Sequence, residues 1–106
     1  MSKEDTTTFG ECIRNLRERA GLPLRKMAAQ LDVDPSLLGK IERNNRRPTR
    51  KLIKKLARTF GQSESHLLSM KLSDEIAFKI LKEKSGLNVL RVAEKKVDYL
   101  RSKRNV

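Results

Sequence analysis

Leu24 to Arg43 reads LRKMAAQLDVDPSLLGKIER, two short helical patterns separated by a break that holds only a tight turn. The first pattern places Leu24, Met27, Ala28 and Leu31 at i, i+3, i+4 and i+7, so one stripe of a helix is apolar and faces a core. Asp32-Val33-Asp34-Pro35 interrupts that period. Proline has no amide hydrogen and a fixed φ, which suits the first helical position, and Asp34 ahead of it offers a carboxylate to the free amides of the next turn. A second helix therefore starts at Pro35. It keeps only Leu38 and Ile41 on the inward stripe and leaves Ser36, Leu37, Gly39, Lys40 and Arg43 facing elsewhere. A helix this short of core anchors presents its other face to a partner.

The same reading extends in both directions. Thr8 to Glu11 has capping-box spacing and predicts a first helix from about Phe9 to Ala20, with Phe9, Ile13, Leu16 and Ala20 inward and Gly21 as its stop. After the basic loop Asn44 to Pro48, Thr49 caps a fourth helix carrying Leu52, Ile53, Leu56, Ala57 and Phe60 inward, and Gly61 ends it. Ser63 caps a short fifth helix to about Met70 that adds Leu67 and Leu68 to the core. Ser73 and Asp74 open a sixth, which Ser85 and Gly86 close, and a seventh runs from about Asn88 to Lys103. The last of these carries an apolar arc, Val89 to Leu100, wider than one contact with its own domain requires. Such surface marks an interface, with folding back over the first core as the competing arrangement. The expected chain is all-α. Residues 1–8 form a flexible N-terminus, residues 9–70 a five-helix domain, and residues 71–106 a two-helix C-terminal element that dimerises through Ile80, Val89, Val92, Val97, Tyr99 and Leu100.

Composition narrows the function. A chain of 106 residues supports one domain with a small appendage, and 4% aromatic content with no Trp points to a helical core of Leu, Ile, Val and Ala. The net charge is +12, and two thirds of that excess sits between residues 43 and 58. Arg43, Arg46, Arg47, Arg50, Lys51, Lys54, Lys55 and Arg58 have no acid among them, a local field suited to a polyanion. Cys12 has no second cysteine to bridge, and no stretch resembles a signal or reaches membrane-spanning length, so a cytoplasmic location away from any membrane is expected. Enzyme chemistry is disfavoured: Cys12 and His66 make no nucleophile–base set, the five glycines form no phosphate loop, and one Cys with one His gives no zinc spacing. No catalytic residue, metal or cofactor is expected. RNA binding by stacking is disfavoured as well, because Phe9 and Phe60 fit the core pattern and leave no aromatic platform.

Residues 9–70 resemble the lambda-repressor-like helix-turn-helix family of phage repressors, Cro proteins and XRE-type relatives. The resemblance rests on LRERAGL at Leu16 to Leu22, the MAAQL and LLGKIER stretches, the RNNRRPT loop with Pro48 six residues after Glu42, and the tail LARTFGQSESHLLSM. It implies that the helix from Pro35 to Arg43 enters the major groove of double-stranded DNA with its N-terminal part against base edges. By position, the base-facing residues are then Pro35, Ser36, Leu37, Gly39 and Lys40. Lys40 is the foremost of them, because an ammonium donates to guanine O6 and N7. Leu37 stands beside a thymine methyl or at the edge of the core. Phosphate contacts fall to Arg25, Lys26, Arg43, Asn44, Arg46, Arg47 and Arg50. Arg17 and Glu42 match a charged pair that ties the first helix to the recognition helix.

The sequence departs from the family pattern at several positions. Leu24 stands where a polar phosphate binder is common, and Asp32 and Asn44 stand where glycine is common. Pro35 and Gly39 replace polar side chains at reading positions, so affinity is expected to come mainly from phosphates, with sequence preference partly through DNA shape. The function implied is a homodimeric transcriptional regulator, most simply a repressor. The alternative is an antitoxin-like or restriction–modification controller protein whose C-terminal helices bind a partner protein.

Overall fold

The computed structural model describes residues 6–104, which form six helices and no strand. These are α1 Phe9–Arg19, α2 Leu24–Gln30, α3 Pro35–Glu42, α4 Arg50–Phe60, α5 Glu64–Leu81 and α6 Gly86–Arg104. The chain divides into two compact units, Met1–Asp74 and Glu75–Val106, and α5 begins in the first and ends in the second. Of the flexible start expected over 1–8, residues 1–5 lie outside the described residues. Thr8 belongs to structure: its hydroxyl accepts from the Glu11 amide at 3.2 Å, while Glu11 Oε1 accepts from the Thr8 amide at 3.2 Å, completing the capping box.

Helix ends follow the local chemistry. Asp34 Oδ1 accepts from the Ser36 amide at 2.7 Å with Pro35 in the first turn, and Thr49 Oγ1 accepts from the Leu52 amide at 3.1 Å. Gly21 after α1 and Gly61 after α4 have φ of 67° and 64°, the left-handed conformation that a residue without Cβ adopts most easily. The core of the first unit joins Phe9 and Ile13, Met27 and Ala28, Leu31, Leu38 and Ile41, Leu52, Ile53 and Leu56, and Leu67. Every one of its helices contributes, and α3 does so through Leu38 and Ile41 alone among its apolar side chains. Leu16, Leu24, Leu37, Ala57, Phe60 and Leu68 are half-buried around that core, whereas Ala20, expected inward, is exposed.

Two expectations need correction. Ser73 and Asp74 do not open a new helix, since α5 runs without interruption through them and the described residues form six helices where seven were expected. The reason is that both capping side chains are engaged otherwise. Ser73 Oγ donates back to the Met70 carbonyl at 3.0 Å within the same helix, and Asp74 Oδ2 accepts from the Phe9 amide at 2.8 Å, capping α1 instead. Gly86 likewise opens α6 rather than closing the helix before it. It is buried against the Ile80 backbone and side chain, where any Cβ would collide.

The second unit is built differently from the first. Among its described residues only Gly86 is buried, and Ile80 is half-buried. Val89, Leu90, Val92, Val97, Tyr99 and Leu100 are all exposed, from 39% at Leu90 to 59% at Tyr99.

Because Leu38 is fully buried and one of two core anchors on α3, Leu38→Ala is expected to lower unfolding stability by about 3 kcal/mol. Urea denaturation followed by circular dichroism tests this, and a loss under about 1 kcal/mol would mean the core does not hold α3 in this way.

Candidate nucleic-acid interface

The turn between α2 and α3 sets the direction of the exposed helix. Asp32 takes φ of 54°, a conformation that Asp tolerates better than most side chains. Its neighbour Val33 closes the turn by donating its amide to the Ala28 carbonyl at 3.0 Å. Lys55 Nζ donates to the Leu31 carbonyl at 3.1 Å and lies 3.7 Å from the Asp32 carboxylate, so α4 supplies the cation for the C-terminal end of α2. Sequence reasoning counted Lys55 only as part of a charge run. Its internal role has no local signal, because donor and acceptor are 24 residues apart.

The other end of α3 is held by a pair of charges. Arg17 Nε donates to Glu42 Oε2 at 2.8 Å and Nη2 donates to Oε1 at 3.1 Å, a two-pronged contact with side chains only 18% and 7% exposed. Arg17 Nη1 donates to the Leu22 carbonyl at 3.1 Å. The hydrogen bond to Glu42 pushes the Arg17 guanidinium still higher than its ordinary value, with burial opposing, so it stays charged under all physiological conditions. Arg17 is thereby committed inward and unavailable to a ligand.

Beside this pair, α1 meets α3 at backbone distance. A Cβ on Gly10 would fall 2.5 Å from the Ile41 carbonyl and 2.6 Å from both the Glu42 carbonyl and Asn44 Oδ1, so only glycine allows the approach. Sequence reasoning passed over Gly10, and a glycine in the first turn of a helix is the one signal that pointed to it. Asn44, expected at phosphate, has φ of 61° and donates Nδ2 to Thr8 Oγ1 at 3.1 Å. Its side chain therefore ties the loop after α3 to the start of α1, and it takes over the left-handed position for which relatives use glycine.

The remaining candidates divide by exposure. Pro35, Ser36 and Lys40 stand exposed on α3, Leu37 is half-buried against the core, and Gly39 is buried. Gly39 thus offers no surface of its own to a base. Arg25 and Lys26 are exposed on α2, while Leu24 packs half-buried. Arg43, Arg46, Arg47 and Arg50 are exposed from the end of α3 to the start of α4, and none has a carboxylate partner among the described residues. A row of unneutralised guanidinium groups next to an exposed helix face is an arrangement for a polyanion.

Cys12 and His66 lie away from this face. Together with Thr7, Asn15, Leu16, Arg19, Gln62 and Met70 they line an open cleft of about 180 Å³ between α1 and α5. Burial pushes the Cys12 thiol up, against the lowering effect of Arg19, which leaves it a poor nucleophile. Among the described residues no group of His, Cys, Asp and Glu is placed to hold a metal, and no helix is long and apolar enough to cross a membrane.

Residues 13–67, just over half of the chain, match the family described as Helix-turn-helix. The chain belongs to the lambda-repressor-like helix-turn-helix family. This is a family of DNA-binding regulators. A crystal structure of a hypothetical protein from E. coli superposes with a TM-score of 0.66 at 21% identity, covering 86% of this chain and 97% of that one. A chain of the SinR protein/SinI protein complex superposes with a TM-score of 0.54 at 21% identity, covering 93% and 100%. At this identity the likeness is one of fold. No curated protein matches the sequence.

Removing one member of the desolvated pair strands the other, so Glu42→Ala is expected to cost about 3 kcal/mol. Replacing both, Arg17→Met with Glu42→Leu, should recover most of the loss because no buried charge is then left alone. Chemical denaturation of Arg17→Met, Glu42→Leu and the double variant measures this, and strictly additive losses would show that the charges are not coupled.

Proposed function

We propose that the protein is a transcriptional repressor that binds an operator of two-fold related half-sites as a homodimer, each copy placing α3 in the major groove. The observation that carries this reading is the exposed face of Pro35, Ser36 and Lys40 bordered by four arginines that have no carboxylate partner among the described residues. In the groove, Lys40 donates to guanine acceptors, Ser36 donates or accepts, and Leu37 touches a thymine methyl at the margin of the core. Arg25, Lys26, Arg46, Arg47 and Arg50 hold the phosphates to either side. Affinity on this account is mostly electrostatic and falls steeply with salt.

The second unit supplies the dimer contact in this reading. Val89, Val92, Val97, Tyr99 and Leu100 lie exposed on α6, with half-buried Ile80 in the last turn of α5, and two copies would cover one another's apolar faces. Half-site centres then lie roughly 34 Å apart, one turn of duplex, or a multiple of it. A second reading shares the DNA contact but gives α6 to a different protein, as in an antitoxin-like or restriction–modification controller. The exposure of α6 favours it equally, and the likeness to a chain of the SinR protein/SinI protein complex adds to it. Light scattering on the isolated chain separates the two: a discrete dimer supports the self-sufficient repressor, and a monomer that aggregates supports the missing partner.

Two substitutions test the DNA contact. Lys40→Ala should flatten base preference at one position of each half-site in a selection from randomised duplexes, and an unaltered motif would remove Lys40 from the reading set. Arg47→Ala should weaken binding to all sequences alike and reduce the slope of log affinity against log salt by about 1. A slope equal to that of the native protein would place Arg47 away from the phosphates.

A further inference from the structure

The middle of the recognition helix poses a problem that its neighbours answer. Gly39 sits on the stripe of Ser36, Lys40 and Arg43, yet it carries no side chain and is buried. What covers it is the far end of Arg43. A Cβ built on Gly39 would lie 3.2 Å from Arg43 Nη1, 3.9 Å from Nη2 and 3.3 Å from Leu24 Cδ2. The guanidinium therefore lies back along α3, over the gap left by the glycine and beside the Leu24 side chain of α2. Helix geometry favours this course, since side chains lean toward the N-terminus and residues four apart stack on one face.

The guanidinium held there has no carboxylate partner among the described residues. Its planar fork lies at the level of Gly39, where the stripe is otherwise bare. A guanidinium donates two parallel hydrogen bonds to guanine O6 and N7, and it does so best when its orientation is fixed beforehand. We infer that Arg43 is a base-reading residue, a specificity determinant specific for guanine, and that Gly39 is present to make room for its side chain on the recognition face. This rests on the operator-binding reading above and assigns Arg43 a role different from the phosphate contact that its place in the charge run suggests.

The test uses the full chain and three variants, Arg43→Lys, Arg43→Ala and Gly39→Ala. Each is put through selection from randomised duplexes and then through fluorescence anisotropy over a range of salt concentrations. Arg43→Lys keeps the charge and loses the fork. It should retain the salt slope while losing about tenfold in discrimination for guanine at one base pair of each half-site. Gly39→Ala places a methyl where the guanidinium lies, and both groups it meets are flexible side-chain ends, so the helix is kept and the same base pair should lose its preference. An Arg43→Lys protein with the native base preference overturns the inference, as does an Arg43→Ala protein whose salt slope falls by about 1 with its base profile unchanged, the mark of a phosphate contact. A Gly39→Ala protein with the native profile overturns the part assigned to Gly39. Should the native protein itself select no sequence from the pool, the operator reading fails, and this failure is distinct from a native motif that survives the Arg43 changes.

Discussion

The geometry of the interface depends on the contact between Arg17 and Glu42. α3 has two buried apolar side chains, Leu38 and Ile41, and two anchors leave a short helix free to rock about the line joining them. The two-pronged contact at 2.8 and 3.1 Å adds a directional constraint at the helix end, and the third donor of Arg17 fixes the guanidinium itself on the Leu22 carbonyl. Hydrophobic contact alone is non-directional, whereas a planar guanidinium on a carboxylate has one preferred plane. The close approach at Gly10 and the bond from Asn44 to Thr8 complete the restraint from the same side. The outer face of α3 is therefore shaped by contacts on its inner face.

Charge is partitioned by the fold into internal and external uses. Arg17 and Lys55 are bound to acceptors from distant parts of the chain, while Arg25, Lys26, Lys40, Arg43, Arg46, Arg47 and Arg50 remain exposed. The bound cations hold α2 and α3 in place, and the exposed ones surround the helix so held. An exposed cationic cluster raises the energy of the isolated protein through self-repulsion, and a polyanionic partner relieves it. The two compact units show a comparable division: the first closes its own core, and the second leaves most of its large apolar side chains in water.

Much of the first unit was legible locally because its signals are short-range. Capping at Thr8, Asp34 and Thr49, the stops at Gly21 and Gly61, and the inward stripes of α2 and α4 each depend on residues within one or two turns. The helix start that failed involves side chains with two possible partners. Ser73 and Asp74 have the residue types of a helix start, but one bonds within α5 and the other caps α1, 65 residues away. Asn44 has the polarity of a phosphate ligand, and its donation to Thr8, 36 residues away, leaves no local signal either. Gly39 occupies a reading position and is covered by Arg43.

The linear order of residues determined that this chain is all-helical, that a proline-led helix follows a tight turn, and that positive charge gathers directly after it. These follow from periodicity, capping chemistry and charge, which act between near neighbours. Tertiary structure alone decided which cations are held and which are presented, which helix Asp74 caps, and where the Arg43 guanidinium lies. Such choices depend on groups far apart in sequence meeting at hydrogen-bond distance, and spacing along the chain carries no record of that meeting.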